Sequence, residues 1–464
     1  MHASHRRAGS RRRNAAHIRV LAGSAFALAA AAGASPATAS PNYLFEGTIG
    51  ITPSTSNTAG TFAGYDLATF DSTTQLYYLT DRSNNGIDVL SAKTNTFVER
   101  IGSGLFTGNG TAVPAASGLP AVPAANVTGP NGIGISDVPG GKLLVTSNGN
   151  STVQTFNLAS NGLTVLSTPA PVSTVVTGLT PTQANRVDGV AYSPTANTII
   201  AANNTSNPGF VTLVDNATGT IRKTLILDGT NGLPNVNGNG VEATIFNTAT
   251  GTFFVAVPQF NNTGAGGAIE VDPVTGALIH TYDFNALGLS GSATCSPTGA
   301  AQGAGAAIFI ACSDPSGSVQ SILLNPATAT SPNGSIQVVA GISGGDQAAY
   351  DPANNTFFES ARFALGGPVL GVVDATTGLL TETLPITFND HSVAVDPVSG
   401  EVFVAFGASA SGNPYCATTG CIGVFAVQVP EPAALTVMGF ALAVLAGCGR
   451  WLGRAARIGG RTYS

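Results

Sequence analysis

The sequence predicts an all-β protein, a seven-bladed β-propeller, and three observations carry that expectation. Short runs of Val, Ile, Leu, Phe and Tyr recur between clusters of Gly, Asn and Pro, the pattern of many short strands joined by turns. A hairpin unit recurs seven times, at spacings that suit a four-stranded repeat. Between the two ends, no stretch carries a long amphipathic helical period. Only 9% of residues are charged, but 43% are hydrophobic, which argues for a packed core and against disorder.

Taken in order, the chain opens with Arg6, Arg7, Arg11, Arg12, Arg13 and Arg19, followed by an apolar run over 20–32. Ala37, Thr38 and Ala39 then form a small-x-small cleavage site, so 1–39 reads as a secretory signal peptide. Ser10, Arg11 and Arg12 hint at a twin-arginine signal, but the apolar residues that should follow the pair are absent. Residues 40–428 are the expected propeller.

Its repeats align at 68–80 (ATFDSTTQLYYLT), 134–146 (GISDVPGGKLLVT), 190–202 (VAYSPTANTIIAA), 244–256 (TIFNTATGTFFVA), 348–360 (AAYDPANNTFFES) and 393–405 (VAVDPVSGEVFVA). A degenerate seventh member spans 293–311. Each is a strand, a turn opened by Asp, Ser or Asn, and a second strand. The turn positions are Asp71, Asp137, Ser193, Asn247, Ser296, Asp351 and Asp396. A third strand commonly follows and ends in Asp-x-x-Thr-Gly, as at Asp215 to Gly219, Asp272 to Gly276 and Asp374 to Gly378. There Asp bonds its own backbone and Gly supplies positive φ. A fourth strand, such as 277–281, completes the unit. The last repeat lacks a fourth strand, and 43–49 (YLFEGTI) is expected to supply it and close the ring. These Asp-x-x-Thr-Gly turns and the strands before them resemble the YVTN family of bacterial surface propeller repeats and, more loosely, NHL repeats. An open array of β-sandwiches is the alternative architecture.

The chain ends with Val429, Pro430, Glu431 and Pro432, an apolar run over 433–449, and then Arg450, Arg454, Arg457 and Arg461. Apolar run before arginines places the body outside and the tail in the cytoplasm. The three parts together resemble a PEP-CTERM sorting signal, found on exported proteins of Gram-negative bacteria that make exopolysaccharide. The resemblance implies that 429–464 is a single transmembrane sorting helix with its flanking motif and Arg-rich tail, and that an exosortase cuts near the Pro-Glu-Pro. A plain membrane anchor is the alternative, and the spread of the arginines along one helical face suits it.

Removing both ends leaves eight Lys and Arg against 23 Asp and Glu, a net charge near −15. Such a body lacks the basic patches that nucleic-acid binding requires. Cys448 belongs to the tail, leaving four cysteines in the body. Cys295 with Cys312 and Cys416 with Cys421 are the shortest pairings, with pairings across repeats as the alternative.

Catalytic chemistry is sparse. Only His280 and His391 remain in the body, no G-x-S-x-G elbow occurs, and no Cys or His shows zinc spacing. The single Trp, Trp451, lies in the tail, which argues against the Trp-repeat quinone propellers. One constellation stands out. Five residues before the hairpin turns stand Asp66, Gly132, Asp188, Glu242, Gly291, Asp346 and His391, positions that converge on one mouth of a propeller channel. Asp81, Asn148, Asn203 and Asp314 are expected on loops at the same end. Carboxylate and amide oxygens are the ligands Ca²⁺ prefers, so Asp66, Asp188, Glu242, Asp346 and His391 form a candidate cation site. The other reading is that these acids cap strands and join blades in a wet channel. Long loops at 102–130, 228–240 and 407–421 are expected at that end, where a partner can dock.

The functional expectation is an exported binding or structural component of the cell envelope, exopolysaccharide or biofilm matrix, with no catalytic residues. Its partners would be exosortase, the membrane during transit, and matrix polysaccharide or an envelope protein. The competing expectation is a Ca²⁺-dependent propeller hydrolase or lactonase at the channel mouth.

Overall fold

The computed structural model describes residues 42–111, 124–165, 170–179, 186–236, 240–261, 265–289, 295–313, 320–387, 390–409, 415–416 and 418–428. The expected signal peptide, the sorting motif Val429 to Pro432 and the four tail arginines lie outside these residues, as do Gly291 and Asp314. The described strands form seven antiparallel four-stranded sheets. Ala124–Val127, a single 3-10 turn, is the only helix among the described residues.

In blade one the strands run from the centre outward as Tyr65–Asp71, Leu76–Asp81, Gly86–Ser91 and Thr96–Ile101. The innermost strands of blades two to seven are Ile133–Val138, Val190–Ser193, Thr244–Asn247, Pro297–Gln302, Ala348–Asp351 and Val393–Val395. Each lies against the next, and that of blade seven lies against that of blade one, so the ring is closed. Blade seven takes its outermost strand from the amino end, as expected. Tyr43–Gly50 pairs antiparallel with Cys421–Val427, from Tyr43 opposite Val427 to Gly50 opposite Cys421, with a bulge between Phe45 and Gly47.

The middle strands explain the continuous apolar runs. Leu76–Asp81, Thr198–Asn203 and Thr252–Val257 are buried at every residue, because neighbouring blades cover both faces. Alternate side chains serve opposite neighbours. Tyr77 and Leu79 pack toward blade seven, while Leu76 and Tyr78 pack toward blade two. Phe357 likewise joins blade five and Phe358 joins blade seven. The result is seven apolar clusters, one in each interface between blades. Each fully buried Leu or Phe in them contributes about 1.5–3 kcal/mol of hydrophobic transfer. Outermost strands instead alternate half-buried and exposed residues, as in Leu278–Asp283 and Leu379–Pro385.

The turns follow the expected chemistry. Asp215, Asp272 and Asp374 each accept from the backbone N–H groups two and three residues on. Gly219, Gly276 and Gly378 adopt φ of 66°, 66° and 65°, where a side chain would be strained. Blade five departs from the expected alignment. Its first strand runs through Pro297–Gln302, and its turn is closed by Gly303 N donating to Ala307 O at 2.8 Å, so Ser296 does not open it. The Gly- and Ala-rich segment gave too little contrast to set the register. Cys295 bonds Cys312 within blade five, and Cys416 bonds Cys421 beside blade seven.

Candidate functional site

Asp66, Asp188, Glu242, Asp346 and His391 sit at or just before the innermost strands of blades one, three, four, six and seven. The ring brings all five into the lining of one cavity of ≈ 210 Å³. In blade five the corresponding wall is Thr298, as the shifted alignment requires. Blade two contributes the buried Asn131 beside the cavity, where Gly132 offers no side chain.

Three arginines stand among these acids. Arg82 pairs with Asp66, Arg186 Nη2 lies 3.1 Å from Asp188 Oδ2, and Arg362 Nη2 lies 2.7 Å from Asp346 Oδ2. Arg82 also donates to Asn131 Oδ1 from Nε at 3.0 Å and from Nη2 at 2.6 Å. Arg186 donates to Asn204 Oδ1 at 3.0 Å, and Asn204 Nδ2 donates back to Asp188 Oδ2 at 3.0 Å. His391 Nε2 is 3.6 Å from Asp66 Oδ1, and its ring stacks on Tyr65, which stacks in turn on Phe62.

The electrostatics follow from burial and these pairs. Burial alone would raise the Asp66 pKa, but Arg82, His391 and Arg186 outweigh it and hold the group well below the usual range. At Asp188 burial wins over the pull of Arg186, and its pKa is raised. Burial and then the charge of Asp188 push the Glu242 pKa far up, and the two carboxyl groups share a hydrogen bond. Burial lowers the Arg82 pKa. At Arg186 burial is outweighed by Asp188, Asp66, Glu242 and Asp346, and its pKa rises. Three guanidiniums thus pair with Asp66, Asp188 and Asp346, and Glu242 bonds Asp188.

This arrangement does not fit a Ca²⁺ site. Three of the four carboxylates that would face the ion, Asp66, Asp188 and Asp346, already hold guanidinium partners, and a cation would have to displace them. Among the described residues, no three His, Cys, Asp or Glu side chains lie close enough to hold a metal ion. Nor do the expected loop oxygens reach the channel. Asp81, Asn148 and Asn203 end second strands and are buried. Asp81 bonds Asn84, Asn148 Oδ1 accepts from Thr107 and Gly149, and Asn203 bonds Thr177. A strand end turned between blades explains this placement. His280 lies on the outermost strand of blade four, against Tyr282, and not on the inner ring.

A spacing that the repeat alignment leaves unread marks two of the three arginines. Asp66 and Arg82 are sixteen residues apart, as are Asp346 and Arg362, and Asn204 occupies the same offset from Asp188. This offset runs from the mouth position, around one hairpin, to the residue after the second strand. Below the polar layer the channel widens into a cavity of ≈ 460 Å³, lined by Leu67, Ile133, Val190, Ile245 and Val393 among others. Of the long loops, 228–240 is held by a bridge between Asp228 and Asn235, and 407–421 by Ala408 N donating to Phe62 O at 2.6 Å.

No family profile matches this sequence, and no curated protein does. The fold is similar to solved structures. The crystal structure of RRP9 WD40 repeats superposes with a TM-score of 0.50 at 10% identity, covering 79% of this chain and 95% of that one. Hydrazine synthase of Kuenenia stuttgartiensis superposes with a TM-score of 0.51 at 11% identity, covering 75% of this chain and 92% of that one. At such identities the likeness is one of fold.

Proposed function

We propose that this chain is an exported, exosortase-processed β-propeller that serves as a non-enzymatic binding or structural component of the cell envelope, exopolysaccharide or biofilm matrix of a Gram-negative bacterium. The observation that carries binding over catalysis is the channel mouth, where the ionised acids of the inner ring are neutralised by arginines of the same ring. A general base must be free to take a proton in a substrate pose. Asp66, Asp188 and Asp346 are held in ion pairs, and burial and Asp188 push the Glu242 pKa far up. Export is supported by the amino-terminal pattern, the PEP-CTERM-like tail and two cysteine pairs at bonding distance, since disulfides persist in oxidising compartments.

Two measurements test this. In a strain with active exosortase, mass spectrometry should find the chain ending near Pro430 to Pro432; recovery with Arg450 to Arg461 still attached overturns the processing. The Ca²⁺-dependent lactonase reading demands hydrolysis that disappears in Asp188→Ala, Glu242→Ala and Asp346→Ala alike. Finding such activity in the parent chain and losing it in all three overturns the binding role.

A further inference from the structure

We propose that the channel mouth binds a neutral, hydroxyl-rich ligand: one ring of an uncharged polysaccharide. The inference rests on the binding role above and specifies its ligand class.

Charge balance is the first ground. Three guanidiniums oppose three carboxylates in a largely buried layer. A charged guest would have to split one of these pairs and strand its partner away from water, which is unfavourable. A neutral guest leaves all of them intact.

Spare hydrogen-bonding capacity is the second ground. Arg186 spends Nη2 on Asp188 and Asn204, while its buried Nε has no partner among the described residues. Carboxylates accept several hydrogen bonds each, and a guanidinium donates several in fixed directions. Donors and acceptors therefore both line the wall, and the Thr298 hydroxyl, which donates to Gly345 O at 3.0 Å, adds an acceptor. An alcohol both donates and accepts, so a ring bearing neighbouring hydroxyls satisfies both kinds at once.

Room and access agree. The cavity of ≈ 210 Å³ would hold about seven waters at ~30 Å³ each, enough for one sugar ring and too small for a folded partner. The side chains of Arg186 and Arg362 each keep 23% of their surface exposed, so the layer meets solvent.

The test uses the purified full chain in isothermal calorimetry, with methyl glycosides of neutral hexoses, sodium glucuronate and calcium chloride as separate probes. A neutral glycoside should give saturable heat, and glucuronate and calcium none. Thr298→Val and Arg186→Gln should each weaken that binding about tenfold, with each variant still melting cooperatively above the titration temperature. Saturable heat from calcium or glucuronate alone overturns the inference, as does glycoside binding unchanged in both variants. Co-sedimentation with insoluble exopolysaccharide separates the two levels. Sedimentation without glycoside heat overturns the mouth site and leaves the matrix role standing; neither signal overturns both.

Discussion

Arg82 is the side chain on which the first blades meet. It holds Asp66 of its own blade and Asn131 of the next, and Asn131 Nδ2 donates to Val187 O at 2.7 Å on the way into blade three. Arg82→Met therefore leaves Asp66 without its cation, and removing one partner of a buried pair costs about 3–5 kcal/mol. Denaturant unfolding should show that loss, and the double change Asp66→Leu with Arg82→Met should recover much of it. Glu359, on Thr356–Ala361, sets a pH dependence. Burial raises its pKa from 4.5 to about 8, against weaker lowering by Ser321, whose hydroxyl donates to it at 2.6 Å. Gly345 makes the space, since a Cβ there would overlap the Glu359 carboxylate. Below pH 4.5 both folded and unfolded chains hold this proton. As pH rises toward about 8 the unfolded chain loses it first, so unfolding releases a proton and stability falls. Calorimetric melting should decline across that window, and Glu359→Gln should flatten the decline. At this scale the sequence displayed the mouth acids, because they share an offset from a turn. It hid their neutralisation, because the arginines belong to a second offset that few blades keep.

Among the strands, blade seven is the weak point of the inner ring and Gln347 repairs it. Its innermost strand, Val393–Val395, is only three residues long. Gln347 reaches from blade six across this gap: its Oε1 accepts from Ala68 N at 3.0 Å and Val393 N at 3.1 Å, and its Nε2 donates to Ala68 O at 2.6 Å. Gln347→Leu removes these bonds and leaves partly buried backbone groups unpaired, a loss of about 1–3 kcal/mol readable in urea. No sequence pattern announced this residue, because one amide among many acts only through the geometry of three blades. The closing strand was legible, since the last repeat lacked a partner and Tyr43–Gly50 had none of its own. Tyr43 anchors it, buried against Phe358 at 5.0 Å, with its backbone N–H donating to Glu382 at 3.0 Å. Deleting 42–50 bares the edge of Cys421–Val427, and exposed strand edges pair with other chains. Size-exclusion chromatography should show self-association, with a lowered melting temperature. Blade five misled because Gly and Ala at 299–307 carry little of the apolar contrast by which register is read.

For the whole molecule, the ring was legible because seven hairpins alternate their side chains between two neighbours, and only a closed circle gives each blade both. The lower cavity of the channel and the balance of charge at its mouth were not, since both depend on where the circle's centre falls. Closure rests on Tyr43–Gly50 against Cys421–Val427, so a chain ended at Gln428 should melt as the full chain does in differential scanning calorimetry. A lower melting temperature would mean that the tail supports the ring. Where the circle shuts, Asn42 and Gln428 are joined twice: Gln428 N donates to Asn42 O at 2.7 Å, and Asn42 Nδ2 donates to Gln428 Oε1 at 3.1 Å. Entry and exit thus lie side by side on one ladder. The order in which the blades are strung is then nearly independent of where the string begins. Residues 42 and 428 joined by a short linker, with the chain reopened in the exposed turn after Asp215, should still assemble the same seven blades.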